Sequence, residues 1–127
     1  DSGARHFVCE SKNLDDNYVI EMGKKIRFAG EFQPKGINVN FYRMDQNKEV
    51  EIKTYEKGIE GVVLSCASGS AAVVFHLAKV NAVCSPVITR SVGGNLIYTF
   101  DVGWKEFLSQ GPAQFLFNGE FNIESSP

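Results

Sequence analysis

Apolar residues recur along the chain in two rhythms. In "NLDDNYVIEMGKKIRF", Val19, Met22, Gly23 and Ile26 share one face at helical spacing. Asn13 stands as a cap, Asp15 and Asp16 occupy the first turn, and Lys24, Lys25 and Arg27 lie near the end, so a helix is predicted over residues 14–26. Farther on the period drops to two. "INVNFYRM" sets Ile37, Val39 and Phe41 on one side, "EVEIKTYEKG" does the same with Val50, Ile52 and Thr54, and "DQNK" between them has turn chemistry, which together predict a hairpin. "GVVLSCASGS", "AAVVFHLAKV", "AVCSPVITRS" and "NLIYTFDV" follow as runs rich in β-branched and aromatic types and read as further antiparallel strands. Trp104, Phe107 and Leu108 suggest a short helical turn, and Asn118-Gly119 between apolar runs suggests an added hairpin over residues 113–123.

Composition narrows this. At 127 residues, 43% hydrophobic and 12% aromatic, the chain can bury one core, so a single domain over residues 1–127 is expected. The net charge of −2 gives no overall attraction to phosphate, and no run of 18 apolar residues offers a membrane span. Residues 61–100 carry only Lys79 and Arg90 as charged side chains, a pattern read as the middle of a sheet. The chain starts at Asp1 without an initiator methionine, which admits a trimmed N-terminus and secretion.

Candidate chemistry is sparse. Phosphate-loop, GxSxG and HExxH motifs are absent, no CxxC is present, and His6 and His76 form no ligand pair, so neither a metal nor a cofactor is expected. Taken singly, His6 reads as a surface residue, His76 as a strand histidine facing solvent, and Cys66 and Cys84 as buried thiols rather than nucleophiles. In an oxidising compartment Cys9, Cys66 and Cys84 would give one disulfide and one free thiol, and in a reducing one three thiols. Pattern alone gives an α+β fold, one N-terminal helix packed on a twisted antiparallel sheet with an extra C-terminal hairpin.

The stretch "EGVVLSCASGSAAVVFHLAKVNAVCSPVITRSVGGNLIYTF" resembles the core of the small guanyl-specific fungal ribonucleases, and Phe7-Val8-Cys9 followed by a capped helix resembles the start of the RNase-like secreted effectors of powdery mildew fungi. The resemblance spans residues 6–100, leaving 101–127 as a C-terminal extension. It implies a ribonuclease-like fold whose cleft is lined by Gln33, Lys35, Glu60, Ala72 and Arg90. Glu60 matches the general base, while Ala72 replaces the phosphate arginine, Arg90 the histidine acid, and Gln33-Pro34-Lys35 a Tyr-Pro-His stretch. Arginine stays protonated near neutrality and cannot be the acid, so a catalytically inactive protein with no catalytic residues is expected. Lys35 and Arg90 would then hold an RNA backbone without cutting it. The implied function is that of a secreted virulence effector, a monomer off the membrane that acts inside plant host cells. Its partners would be a host protein or host RNA, with recognition by an immune receptor; an active secreted ribonuclease and an extracellular interaction domain are the alternatives. Members of that family close a bridge from the aromatic-x-Cys cysteine to a late cysteine, which this chain lacks. The partner of Cys9 is therefore Cys66, Cys84 or none, and a first strand against the central sheet favours Cys9 with Cys84.

Overall fold

A computed structural model describes residues 3–121. Among these, the elements run β1 (His6–Glu10), α1 (Asp16–Arg27), β2 (Asn38–Met44), β3 (Val50–Glu56), β4 (Gly61–Val63), α2 (Ala67–Lys79), β5 (Val87–Ser91), β6 (Gly94–Phe100) and β7 (Phe107–Gln110). The strands form one sheet in the order β1-β2-β3-β5-β6-β7, with β4 paired to β3 beside that path. Pairings β1–β2 and β3–β5 are parallel and the others antiparallel.

The α1 helix begins two residues later than the sequence cap at Asn13 suggests. Asn13 Oδ1 accepts from the Asp15 N–H, and Asp15 is the N-cap, its carboxylate accepting from the Asn17 N–H. Tyr18, Val19, Met22 and Ile26 pack on Val39, Phe41 and Tyr55 of the sheet. Gly23 lies against the Tyr55 ring so closely that any side chain there would collide with it. At the other end Glu60 accepts from the Arg27 guanidinium at 3.1 Å, tying α1 to the turn after β3.

The opposite face of the sheet holds α2. Alternation sends His6 and Val8 of β1, Asn38, Asn40 and Tyr42 of β2, and Val50, Ile52, Thr54 and Glu56 of β3 to this side. Helix α2 packs its Val73, Val74 and Leu77 against Tyr42, Val50, Ile52, Val87 and Tyr98. It touches β1, β2 and β6, strands far apart in the sheet order, so the sheet curls around this helix.

Four expectations of architecture are corrected. One helix on an antiparallel, ribonuclease-like sheet becomes two helices on the two faces of a mixed sheet. The run "AAVVFHLAKV" forms most of α2 instead of a strand. Its buried positions Ser70, Val73, Val74 and Leu77 follow helical spacing, and the charge-poor composition reflects a helix enclosed by the sheet. At the C-terminus, Trp104 occupies a turn with φ of 56° and Phe107 and Leu108 lie in β7, in place of a helical turn. Residues 111–121 form neither helix nor strand, so the hairpin about Asn118-Gly119 does not form there; residues 122 and 123 of that expectation lie outside the described residues. No described helix is long and apolar enough to cross a membrane.

Candidate functional site

The face of the sheet under α2 changes character along its length. At one end Tyr42, Val50 and Ile52 build core; at the other the inward positions are Asn38, Asn40, Thr54 and Glu56, with His6 beside them on β1. Asn38, Asn40 and Thr54 are buried, Asn40 completely. Burial of so many polar side chains is costly without partners, and they are held in a network. Thr54 Oγ1 donates to Asn40 Oδ1 at 2.9 Å, and Asn40 Nδ2 lies 3.1 Å from both the Phe7 carbonyl and His6 Nδ1. Asn38 Oδ1 accepts from the Lys57 N–H at 2.8 Å, shaping the chain just past Glu56.

The N-terminus of α2 meets this polar end. Cys66 is the N-cap, and its Sγ accepts from the Gly69 N–H at 3.4 Å. Ser68 Oγ stands 3.5 Å from Sγ and 3.1 Å from His6 Nε2. Gly69 is required, because a Cβ there would run into Asn40 Oδ1 and crowd the Cys66 sulfur. From β6, the Tyr98 hydroxyl donates to the Ala67 carbonyl at 2.8 Å and fixes the first turn of the helix.

Electrostatics set the resting charges. Burial pushes the Cys66 thiol above its ordinary range, opposed by hydrogen bonds from Ser68 and the Gly69 amide, and the neighbouring Glu56 carboxylate pushes it up further. Burial lowers the pKa of His6, with Glu56 acting the other way. Tyr98 is pushed up to about 12, chiefly by burial, and so keeps its proton. Glu56 Oε2 is buried with no partner other than the neighbouring Cys66 thiol. The result is a thiol at a helix N-terminus, where a thiolate would be stabilised by the dipole and amides, next to a carboxylate with an unused lone pair. That is the donor set for moving a proton to and from a carbon acid.

Of the residues named from the ribonuclease resemblance, Gln33, Lys35 and Glu60 share one end of the molecule near Arg27, and Ala72 and Arg90 lie apart from them. Gln33 donates to the Arg27 carbonyl at 3.1 Å, and Glu60 accepts from Arg27, from Tyr55 Oη at 3.3 Å and from the Gly58 N–H at 3.1 Å, a structural clamp. Lys35 lies near that end, its carbonyl accepting from Lys57 Nζ at 3.3 Å. Arg90 is on β5 opposite Glu51 and pairs with Glu49, while Ala72 is within α2. Positions 51 and 57 are about 20 Å apart along an extended chain, so Lys35 and Arg90 frame no common cleft for RNA.

The Cys9–Cys84 pairing is likewise corrected. All three cysteines are free thiols. Cys9 is on β1 and Cys84 precedes β5, with β2 and β3 between those strands, a separation of about 14 Å against the 4.4–6.8 Å that a bridge spans. Cys66, expected as an inert thiol, and His6, expected as a surface residue, are instead the centre of the site; His76 is exposed, as read, but on a helix. Asn38, Asn40, Thr54, Glu56, Ser68 and Gly69 escaped the sequence reading. No group of three or more metal-ligating side chains occurs among the described residues.

No protein-family model matches the chain. Among curated proteins, the diaminopimelate epimerase of Aquifex aeolicus is 36% identical over 126 residues, covering 97% of this chain and 45% of the relative. That of Hydrogenobaculum sp. is 37% identical over 130 residues with the same shares, and that of Methanothrix thermoacetophila 35% identical over 123 residues, covering 97% and 42%. The chain thus spans about 45% of the length of the first of these relatives. A solved Bacillus anthracis phenazine biosynthesis protein of the PhzF family shares the fold, with a TM-score of 0.53 at 11% identity over 76% of this chain and 30% of that one. These likenesses overturn the powdery mildew effector resemblance and what stood on it. The relatives are named as epimerases, which are enzymes, and the expectation of an inactive pseudo-ribonuclease, secreted and acting on a host, is withdrawn with both of its alternatives.

Proposed function

We propose that this protein takes part in epimerising the α-carbon of an amino acid, with a diaminodicarboxylate such as diaminopimelate as substrate and Cys66 as an acid/base. The observation that carries the reading is the Cys66 thiol at the N-terminus of α2, beside the buried Glu56 carboxylate that has no other partner for its Oε2, in a chain similar over 97% of its length to proteins named diaminopimelate epimerase.

An α-hydrogen is a weak acid, and its removal leaves an electron pair that must spread into the adjoining carboxylate. With the Gly69 amide on Cys66 Sγ, the Ala67 and Ser68 amides of α2 have no partner within the helix and point outward with the positive end of its dipole, which suits a substrate carboxylate as charge builds there. Glu56 takes the proton from Sγ, the resulting thiolate takes the proton from the α-carbon, and the pair left on carbon delocalises onto the carboxylate. Because burial keeps the resting thiol protonated, the same group serves as the acid in the reverse direction.

Inversion also needs an acid on the opposite face of the carbon. Neither other cysteine supplies it from within this cluster: Cys9 faces the α1 side of the sheet, and Cys84 lies past the far end of α2, about 20 Å of helix away. That acid comes from outside the cluster. The test is interconversion of diaminopimelate stereoisomers followed by chiral chromatography. Cys66→Ser is expected to lose at least about 10³-fold in rate and Glu56→Gln about 10²- to 10⁴-fold; near-normal turnover in Cys66→Ser would refute the reading.

A further inference from the structure

We infer that Asn40 locks His6 as the neutral tautomer protonated on Nε2, making His6 a positioning hydrogen-bond donor that acts on Cys66 through Ser68 and not a base. The inference takes its catalytic meaning from the epimerase reading, although its geometry stands independently.

The Phe7 carbonyl can only accept, so the Asn40 atom 3.1 Å from it is the amide nitrogen. Thr54 agrees, its hydroxyl bonded to the other amide atom, Oδ1, at 2.9 Å. That nitrogen has two hydrogens and no lone pair to offer; one goes to Phe7 and the other points at His6 Nδ1, 3.1 Å away. His6 Nδ1 must therefore accept, and the ring proton sits on Nε2. From there it is donated to Ser68 Oγ at 3.1 Å. The Ser68 oxygen keeps its own hydrogen, which is donated to the Cys66 sulfur 3.5 Å away once that sulfur is a thiolate with no hydrogen to give.

Every link is buttressed. Asn40 is fully buried, Thr54 nearly so, and Gly69 leaves the space that the Asn40 amide oxygen fills. A proton on Nδ1 would face the Asn40 N–H directly, so an imidazolium or the other tautomer would set two donors against each other. With Nε2 already protonated, His6 cannot receive the proton that leaves Sγ. That proton goes to Glu56, giving a thiolate and a carboxylic acid, while His6 and Ser68 keep theirs and stabilise the thiolate. The titratable groups facing this chain are Glu56 from the end of β3, Cys66 itself and Tyr98 from β6.

Nitrogen-15 NMR of the imidazole in the whole protein reads the tautomer without any substitution. At pH 7, Nδ1 is expected in the unprotonated, pyridine-like range and Nε2 in the protonated, pyrrole-like range; a proton on Nδ1 would overturn the inference. The second measurement is the pH profile of Cys66 alkylation, resolved by peptide mass spectrometry. Loss of a hydrogen bond to a charged sulfur in Ser68→Ala is expected to move the midpoint upward by about one pH unit, and Ser68→Thr is expected to restore it. An unmoved midpoint in Ser68→Ala would overturn the relay. Neither readout depends on turnover, so an Nε2–H tautomer in a protein that fails to epimerise would refute the proposed function alone, and an Nδ1–H tautomer in an active epimerase would refute this inference alone.

Discussion

Asparagines alternating with Val39 and Phe41 look like the solvent side of a strand, and that is how a period of two is ordinarily read. Here Asn38 and Asn40 face inward, because the sheet is covered on both sides and the polar side is roofed by the first turn of α2. A site built from buried polar residues is therefore camouflaged as surface in the sequence. The visible trace was "SCASGS", whose cysteine, serine and glycine each have a separate duty at the helix start. Glycine at 69 makes this testable at single-residue resolution. Gly69→Ala must push Asn40 or Cys66 aside and is expected to cost about 1–3 kcal/mol, as overpacking does. The check is the urea midpoint, and an unchanged midpoint would mean that the close approach is not needed.

At the level of elements, α1 and the β2–β3 hairpin were legible because their patterns are amphipathic and bounded by caps or turn residues. Helix α2 was not, since "AAVVFHLAKV" is apolar nearly throughout and an enclosed helix has little polar face to reveal its period. Periodicity of damage separates the two readings. Val73 and Val74 are both fully buried, so alanine at either is expected to destabilise, whereas a strand would expose one of them. Leu77→Ala is expected to cost about 2–5 kcal/mol, measured by chemical denaturation; equal tolerance at Val74 and at exposed His76 would favour the strand. The clamp between α1 and the turn after β3 carries a pH signature. Hydrogen bonds from the Gly58 amide, then from Arg27 and Tyr55, hold the Glu60 carboxyl below its usual 4.5. A depressed folded-state pKa stabilises above the unfolded value and loses that contribution as pH falls through the folded value. Glu60→Gln is therefore expected to lower stability at neutral pH and to flatten its decline below about pH 4.5; an identical acid limb would argue that the clamp is electrostatically idle.

For the molecule as a whole, the sequence order of weak strand signals invited a ribonuclease-like topology, and the curl of a mixed sheet around a central helix could not be read from strand-like runs alone. With three free thiols, the melting temperature is expected to be unaffected by reductant, and a reductant-dependent drop would restore a disulfide. If Cys66 moves the α-proton, solvent exchange reports that step at the carbon itself, because deuterium enters the carbon at the moment the proton is taken. Diaminopimelate in D₂O with the protein is followed at the α-position by proton NMR, using Cys66→Ser against a Cys9→Ser/Cys84→Ser control. The expected result is loss of the α-proton signal with the unsubstituted protein and the control, and about 10³-fold slower loss with Cys66→Ser; undiminished exchange in Cys66→Ser would contradict it.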